Sequence, residues 1–183
     1  MSEAAGAGDP RESLRRLVRD IPDFPSPGIL FRDITPLMAD PRALALAVEA
    51  LAEAAAGRPI DLVVAAEARG FLLGPPLALA LGAGFVLARK PGKLPHETVS
   101  AEYSLEYGKD RLEVHSDAIA PGARVLVHDD LLATGGTARA LCELVDRLDG
   151  VVVGCGFLIE LAGLGGRAVL APREVTAVLR YEG

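Results

Sequence analysis

Four short apolar runs constrain this chain more than any other feature: Leu62–Ala66 (LVVAA), 85–88 (FVLA), 125–128 (VLVH) and 151–159 (VVVGCGFLI). None alternates apolar with polar residues, as a strand with one wet face would, so each suits a strand covered on both sides. Helical segments are expected between them at 71–81 and 137–148. Parallel neighbours need a crossover connection, and a helix is the usual one. The alternation therefore predicts an α/β fold, a central, mainly parallel sheet with helices on both faces.

Composition bounds the partners. Of 183 residues, 50% are hydrophobic and 24% charged, enough for a sizeable core in one domain over 1–183. A net charge of -6 without a Lys/Arg block argues against nucleic acid, so an anionic ligand must be held by local groups. The uncharged stretch 71–88 has the length of a membrane span, but Gly74, Pro75, Pro76, Gly82 and Gly84 interrupt it. It reads as a helix, a turn and a buried strand, and no membrane partner is expected. The first ten residues lack the charged-then-apolar pattern of a secretion signal, so Cys142 and Cys155 are expected as inert, reduced thiols in a cytoplasmic protein.

Residues 1–10 read as a disordered tail, followed by a short helix at 12–19 with Leu14, Leu17 and Val18 on one face. The stretch IPDFPSPGILFRDITP carries four prolines and reads as an ordered loop with an extended piece at 29–31. Asp40 and Pro41 suit the cap and first position of a helix ending near Gly57. Between Arg89 and Ile119 a polar, proline-broken segment forms a candidate mobile loop, and antiparallel strands follow, with Gly108 placed to turn a hairpin.

The run HDDLLATGG, 128–136, carries the clearest chemistry. Asp129 and Asp130 follow an apolar strand directly, and in open parallel sheets ligands sit at carboxyl strand ends. Carboxylates there accept hydrogen bonds from sugar hydroxyls or hold a metal indirectly. Ala133, Thr134, Gly135, Gly136 and Thr137 then precede a helix, so backbone N–H groups and hydroxyls can converge on a phosphate. Together the halves describe a sugar-phosphate site; a solvated strand end and a plain glycine turn are the alternative. No GxxxxGK[ST] or GxGxxG following a strand is present, which argues against the P-loop and dinucleotide-binding readings. His96, His115 and His128 share no zinc-site spacing, and His128 is expected as a half-buried hydrogen-bonding histidine.

The segment VLVHDDLLATGGTARA resembles the phosphoribosyl-diphosphate (PRPP) signature of the type I phosphoribosyltransferases. FPSPGILFRDITPL, EARGFLLGPPLALALG, SLEYGKDRLEV and FLIELAGLGGRAVL follow the order and spacing of that family's adenine-specific branch, so the resemblance spans roughly 21–170. It implies the type I fold with an N-terminal hood at about 21–38 and a mobile loop with antiparallel strands. The implied reaction moves the 5-phosphoribosyl group from PRPP to adenine, giving AMP and pyrophosphate with Mg2+ held mainly by PRPP, in a homodimer.

By motif position the resemblance assigns the ribose hydroxyls to Asp129 and Asp130 and the 5-phosphate to Ala133, Thr134, Gly135, Gly136 and Thr137. Pyrophosphate falls to Glu67, Ala68, Arg69 and Gly70, with a cis peptide after Glu67, helped by Arg89, Lys90 and Lys93. Glu106 is implied as the group handling the base proton, Arg69 as the second catalytic residue, and Leu30, Phe31, Arg32 and Leu161 as the adenine pocket. A PRPP- or purine-binding regulator without transferase activity, or an enzyme for another base, are the competing functions.

Overall fold

The computed structural model describes residues 9–105 and 108–182, which divide after Ala50 into two compact units. The tail expected at 1–10 lies outside the described residues up to 8.

In the first unit, helix α1 (Pro10–Arg15) starts where the Asp9 carboxylate accepts from the Arg11 N–H at 3.0 Å and proline opens the first turn. The helix expected at 12–19 therefore begins earlier and also ends earlier, because Arg19 opens a strand. Strand β1 (Arg19–Pro22) pairs antiparallel with β2 (Leu30–Asp33), from Arg19 opposite Asp33 to Pro22 opposite Leu30. The proline-rich stretch is thus a hairpin rather than a loop. Pro22 closes a strand, Pro25 and Pro27 lie in the connection, and no central ladder position needs their missing N–H. Gly28, at φ +84, donates its N–H to Asp23 at 2.7 Å across that connection.

A helix that the sequence had not suggested follows, α2 (Thr35–Ala39), with the Asp33 side chain bound to its first residue. The Asp33 carboxylate accepts from the Thr35 N–H at 2.9 Å and hydroxyl at 2.8 Å, bonds that hold it below its ordinary pKa. Helix α3 (Pro41–Ala54) is capped as expected, with the Asp40 carboxylate accepting from the Arg42 and Ala43 N–H groups at 2.8 and 3.1 Å.

The second unit holds β3 (Leu62–Ala66), α4 (Gly70–Leu81), β4 (Gly84–Ala88), β5 (Thr98–Leu105), β6 (Gly108–His115), β7 (Arg124–Leu132), α5 (Gly136–Arg147), β8 (Val151–Leu161), α6 (Gly166–Leu170) and β9 (Val175–Tyr181). All four apolar runs are strands. With β9 they form one sheet in the order β4-β3-β7-β8-β9, every pairing parallel, while β5 and β6 pair antiparallel beside it. Double coverage explains the runs: Val63, Val64, Ala65, Val125, Leu126 and Val127 are all fully buried. Helix α5 contributes Leu141, Cys142, Leu144 and Val145 to the same core, the spacing of a one-sided helix.

Two features of this sheet create a site. Strand order reverses between β3 and β7, with β4 on one side and β8 and β9 on the other, so a crevice opens there at the carboxyl ends. In addition, β7 outruns β3. Their ladder ends at Ala65 opposite His128, whereas β7 continues beside β8 to Leu132. Asp129 and Asp130 thus lie within the strand and not after it, as the sequence suggested, because pairing with β8 carries β7 four residues further.

Candidate active site

Past His128, the side of β7 that β3 vacates faces the start of α4. A Cβ on Gly70 would come 3.0 Å from Asp129 Oδ1, so only glycine lets the helix approach this closely. The same Oδ1 accepts the Asp130 N–H at 2.9 Å. Asp130 is 3% exposed, and its Oδ2 stands 3.3 Å from Arg69 Nε. Burial, reinforced by the neighbouring Asp130 charge, pushes Asp129 well above its ordinary pKa. Burial raises Asp130 too, against the opposing pull of Arg69. One buried and one half-buried carboxylate beside a single guanidinium leave a surplus of acceptors, which hydroxyl donors or a cation would relieve.

From Ala133 the chain turns into α5. Gly135 sits at φ +83, the left-handed region, and no side chain caps the helix. The first-turn N–H groups lack intrahelical partners. They border a cavity of about 160 Å³ lined by Arg69, Asp129 and 131–138. A helix N-terminus with an uncapped glycine turn is a binding place for an anion.

A second cavity, of about 170 Å³, shares Arg69, Asp129 and Thr137 with the first and adds Glu67, Ala68, Asp130 and Tyr103. The Glu67–Ala68 peptide is cis, as the resemblance implied. Glu67 does not face outward alone: its carboxylate accepts from the Lys90 N–H and from Arg89 Nη2 at 3.0 Å, bonds that hold it below its ordinary pKa and join the loops after β3 and β4. Lys90 Nζ lies 3.2 Å from Asp110, and Lys93 is exposed, contributing its carbonyl to Arg89. No group of three or more metal-ligating side chains occurs among the described residues, so a divalent ion here would draw most of its oxygens from a ligand.

A family model for the phosphoribosyl transferase domain matches residues 39–170. The adenine phosphoribosyltransferase of Rubrobacter xylanophilus is 59% identical over 169 residues, covering 92% of this chain and 91% of its own. The chain belongs to the adenine phosphoribosyltransferase family. Among solved structures, the adenine phosphoribosyltransferase of Thermoanaerobacter pseudethanolicus is similar with a TM-score of 0.92 and 51% identity, over 93% of this chain and 99% of that one. The enzyme from Saccharomyces cerevisiae, solved with an imino-altritol bisphosphate and adenine, is 42% identical with a TM-score of 0.88, over 93% and 98% of the chains.

The crevice brings together Glu67, Ala68 and Arg69 from the loop after β3 with Asp129, Asp130 and 133–137 from β7 and the turn beyond it, while Arg89 and Lys90 of the β4 loop connect to it through Glu67 and Lys93 lines neither cavity. Glu106 lies outside the described residues. In the first unit, Leu30 is exposed, Phe31 packs edge-to-face on Phe24 at 5.1 Å and Arg32 pairs with Asp20; in the second, Leu161 ends β8, half-buried. Sequence reasoning missed Tyr103 and Asp110. The Tyr103 hydroxyl donates to Asp110 at 2.9 Å, and burial together with that carboxylate pushes it up to about 12. Their register across the β5–β6 hairpin was the available signal, since Tyr103 stands directly opposite Asp110.

His128 is fully buried rather than half-buried, because β3 and β8 flank it on both sides. Its Nδ1–H donates to the Gly156 carbonyl at 2.9 Å, and burial pushes its pKa down to about 4, so it is a neutral structural group. Cys142 and Cys155 are buried with their Sγ atoms 3.7 Å apart.

Proposed function

We propose that two joined cavities at the β3–β7 crevice hold the two ends of PRPP while its 5-phosphoribosyl group passes to adenine, giving AMP and pyrophosphate. The family supports this reaction, a step of purine salvage. The observation that carries the site assignment is the sharing of Arg69, Asp129 and Thr137 by an anion-binding helix terminus and a second, cation-bordered cavity. A ligand with a phosphate at one end, hydroxyls in the middle and a polyanion at the other matches that order.

In this reading, Ala133, Thr134, Gly135, Gly136 and Thr137 take the 5-phosphate through their N–H groups and the threonine hydroxyls, and Asp129 and Asp130 accept from the ribose hydroxyls. Pyrophosphate lies on the loop Glu67, Ala68, Arg69 and Gly70, with Arg89, Lys90 and Lys93 supplying positive charge. Cleavage of the anomeric C–O bond builds positive charge on the ribose ring and negative charge on the leaving group. Arg69 lines both cavities and would stabilise the latter. The carboxylate surplus at Asp129 and Asp130 fits Mg2+ held mainly by substrate oxygens, which would add positive charge at the departing pyrophosphate.

Leu30, Phe31, Arg32 and Leu161 are proposed for adenine and Glu106 for the base proton. Fixing adenine and ribose in line can lower such a barrier by about 7–11 kcal/mol, more than one acid or base supplies.

Helix α4 is apolar on all sides, yet Leu72 is 45% and Leu79 82% exposed, and Leu87 on edge strand β4 is 44% exposed. A second copy of the chain is the proposed cover, making a homodimer. No helix among the described residues is long and apolar enough to cross a membrane, and a cytoplasmic location is proposed with it.

The test is product formation from PRPP and Mg2+ with adenine, hypoxanthine, guanine and orotate in parallel, with and without EDTA. AMP from adenine alone, lost with EDTA, is expected. PRPP binding without product from any base would replace the enzyme with a PRPP-responsive regulator.

A further inference from the structure

The glycine turn that begins α5 does not hold its shape by itself. A Cβ on Gly135 would lie 2.8 Å from the Gly166 carbonyl oxygen, and one on Gly166 would lie 2.3 Å from the Ala133 carbonyl oxygen. The two backbones are in direct contact, so the start of α6 is the back wall of the turn. Where α6 sits decides where the N–H groups of residues 134–137 point.

Leu170 anchors the end of α6 in the core, and one ion pair ties its start to β8 and β9. Glu160, 3% exposed near the end of β8, receives Arg167 through two parallel bonds, Nε to Oε1 at 2.9 Å and Nη2 to Oε2 at 2.6 Å. The remaining Arg167 nitrogen, Nη1, donates to the Val175 carbonyl at 2.6 Å, where β9 begins. The fork is planar and each bond is charge-assisted, so it fixes orientation as well as distance. Arg167 is the residue after Gly166, and a shift of the guanidinium therefore moves the back wall directly.

Neither residue lines either cavity of the crevice. Leu132, whose side chain would meet a Gly166 Cβ at 2.8 Å, pairs with Glu160 across the β7–β8 ladder. The clamp is thus tied to the same strand pair that carries Asp129 and Asp130.

We propose that Glu160 and Arg167 are positioning residues for the 5-phosphate, holding Gly166 against Gly135 so that the turn opening α5 is preset for its ligand. This rests on the assignment of that turn to the 5-phosphate. The pyrophosphate loop, after β3, lies on the other strand and serves as an internal control.

Calorimetric titration of the full chain with ribose 5-phosphate and, separately, with pyrophosphate and Mg2+ tests it, using wild type, Glu160→Gln, Arg167→Lys and Gly166→Ala. Loss of one bond of the fork in Glu160→Gln, and of the two-pronged fork geometry in Arg167→Lys, should each weaken ribose 5-phosphate by about threefold or more. Gly166→Ala, which leaves the ion pair in place but forces the wall against Ala133, should weaken it by about tenfold or more. Pyrophosphate affinity should stay within about twofold throughout.

Ribose 5-phosphate binding unchanged in all three variants, or both ligands weakened equally, would overturn the clamp. A wild-type chain that binds no ribose 5-phosphate would instead remove the phosphate assignment, and the clamp's role with it.

Discussion

Gly135→Ala adds one methyl group where the backbone leaves no room. Two costs can be worked from the structure. Gly135 has φ +83, a left-handed conformation that costs alanine about 1 kcal/mol relative to glycine. The added Cβ would lie 2.8 Å from the Gly166 carbonyl oxygen, 3.1 Å from its Cα and 3.2 Å from Val169 Cβ, and two of these are backbone atoms that cannot rotate aside. Overpacking of this kind costs about 1–3 kcal/mol, for a total of about 2–4 kcal/mol. If the turn keeps its shape, the strain lowers stability. At about 2–4 °C per kcal/mol for a domain of this size, Tm falls by about 4–16 °C. If the turn shifts instead, the strain reappears as lost phosphate affinity, about 30- to 1000-fold at the same energy. Scanning calorimetry and the KM for PRPP, measured on one preparation, capture both routes. A variant with wild-type Tm and wild-type KM would refute the close packing and the preset turn together.

Three further substitutions test the proposed site and its surroundings. Folding raises the Asp129 pKa from 3.8, so its contribution to stability is fully present below that pH and is lost as pH rises through the raised value. In ligand-free protein, Asp129→Asn should therefore show a Tm advantage that is small at pH 4 and grows towards pH 7, while PRPP binding is lost; a lower Tm than wild type at pH 7 would contradict the buried-charge account. Tyr103→Phe removes the bond to Asp110 and should cost about 1–2 kcal/mol in urea unfolding, with no change arguing that the bond is not made in solution. Glu106→Gln should lower kcat by about 10²- to 10⁴-fold and leave some activity, and an unchanged kcat would remove Glu106 from proton handling.

What could be read from the sequence was local. The parallel sheet was legible because double burial leaves unbroken apolar runs such as Leu62–Ala66, and the glycine turn that opens α5 because Asp129 through Thr137 are contiguous. The hairpin β1–β2 was not, since its prolines mask a ladder whose register depends on the Asp23–Gly28 connection. Nor were the Glu67–Arg89 bond, the Tyr103–Asp110–Lys90 group or the Gly135–Gly166 contact. The Glu67–Arg89, Lys90–Asp110 and Gly135–Gly166 contacts join residues 20 or more positions apart through tertiary packing, which composition and periodicity do not encode, and the Tyr103–Asp110 bond needs the exact hairpin register. Likewise, Asp129 and Asp130 fell inside β7 because the partner strand β8, rather than any feature of HDDLL itself, sets where that strand ends.

The central claim is that one crevice holds both ends of PRPP, and the most direct measurement is a crystal structure of the chain with Mg2+ and a non-reactive PRPP analogue. The account predicts the 5-phosphate on residues 133–137, the ribose hydroxyls on Asp129 and Asp130, and the diphosphate on the loop from Glu67 to Gly70. A diphosphate bound elsewhere, or a 5-phosphate away from the start of α5, would contradict it.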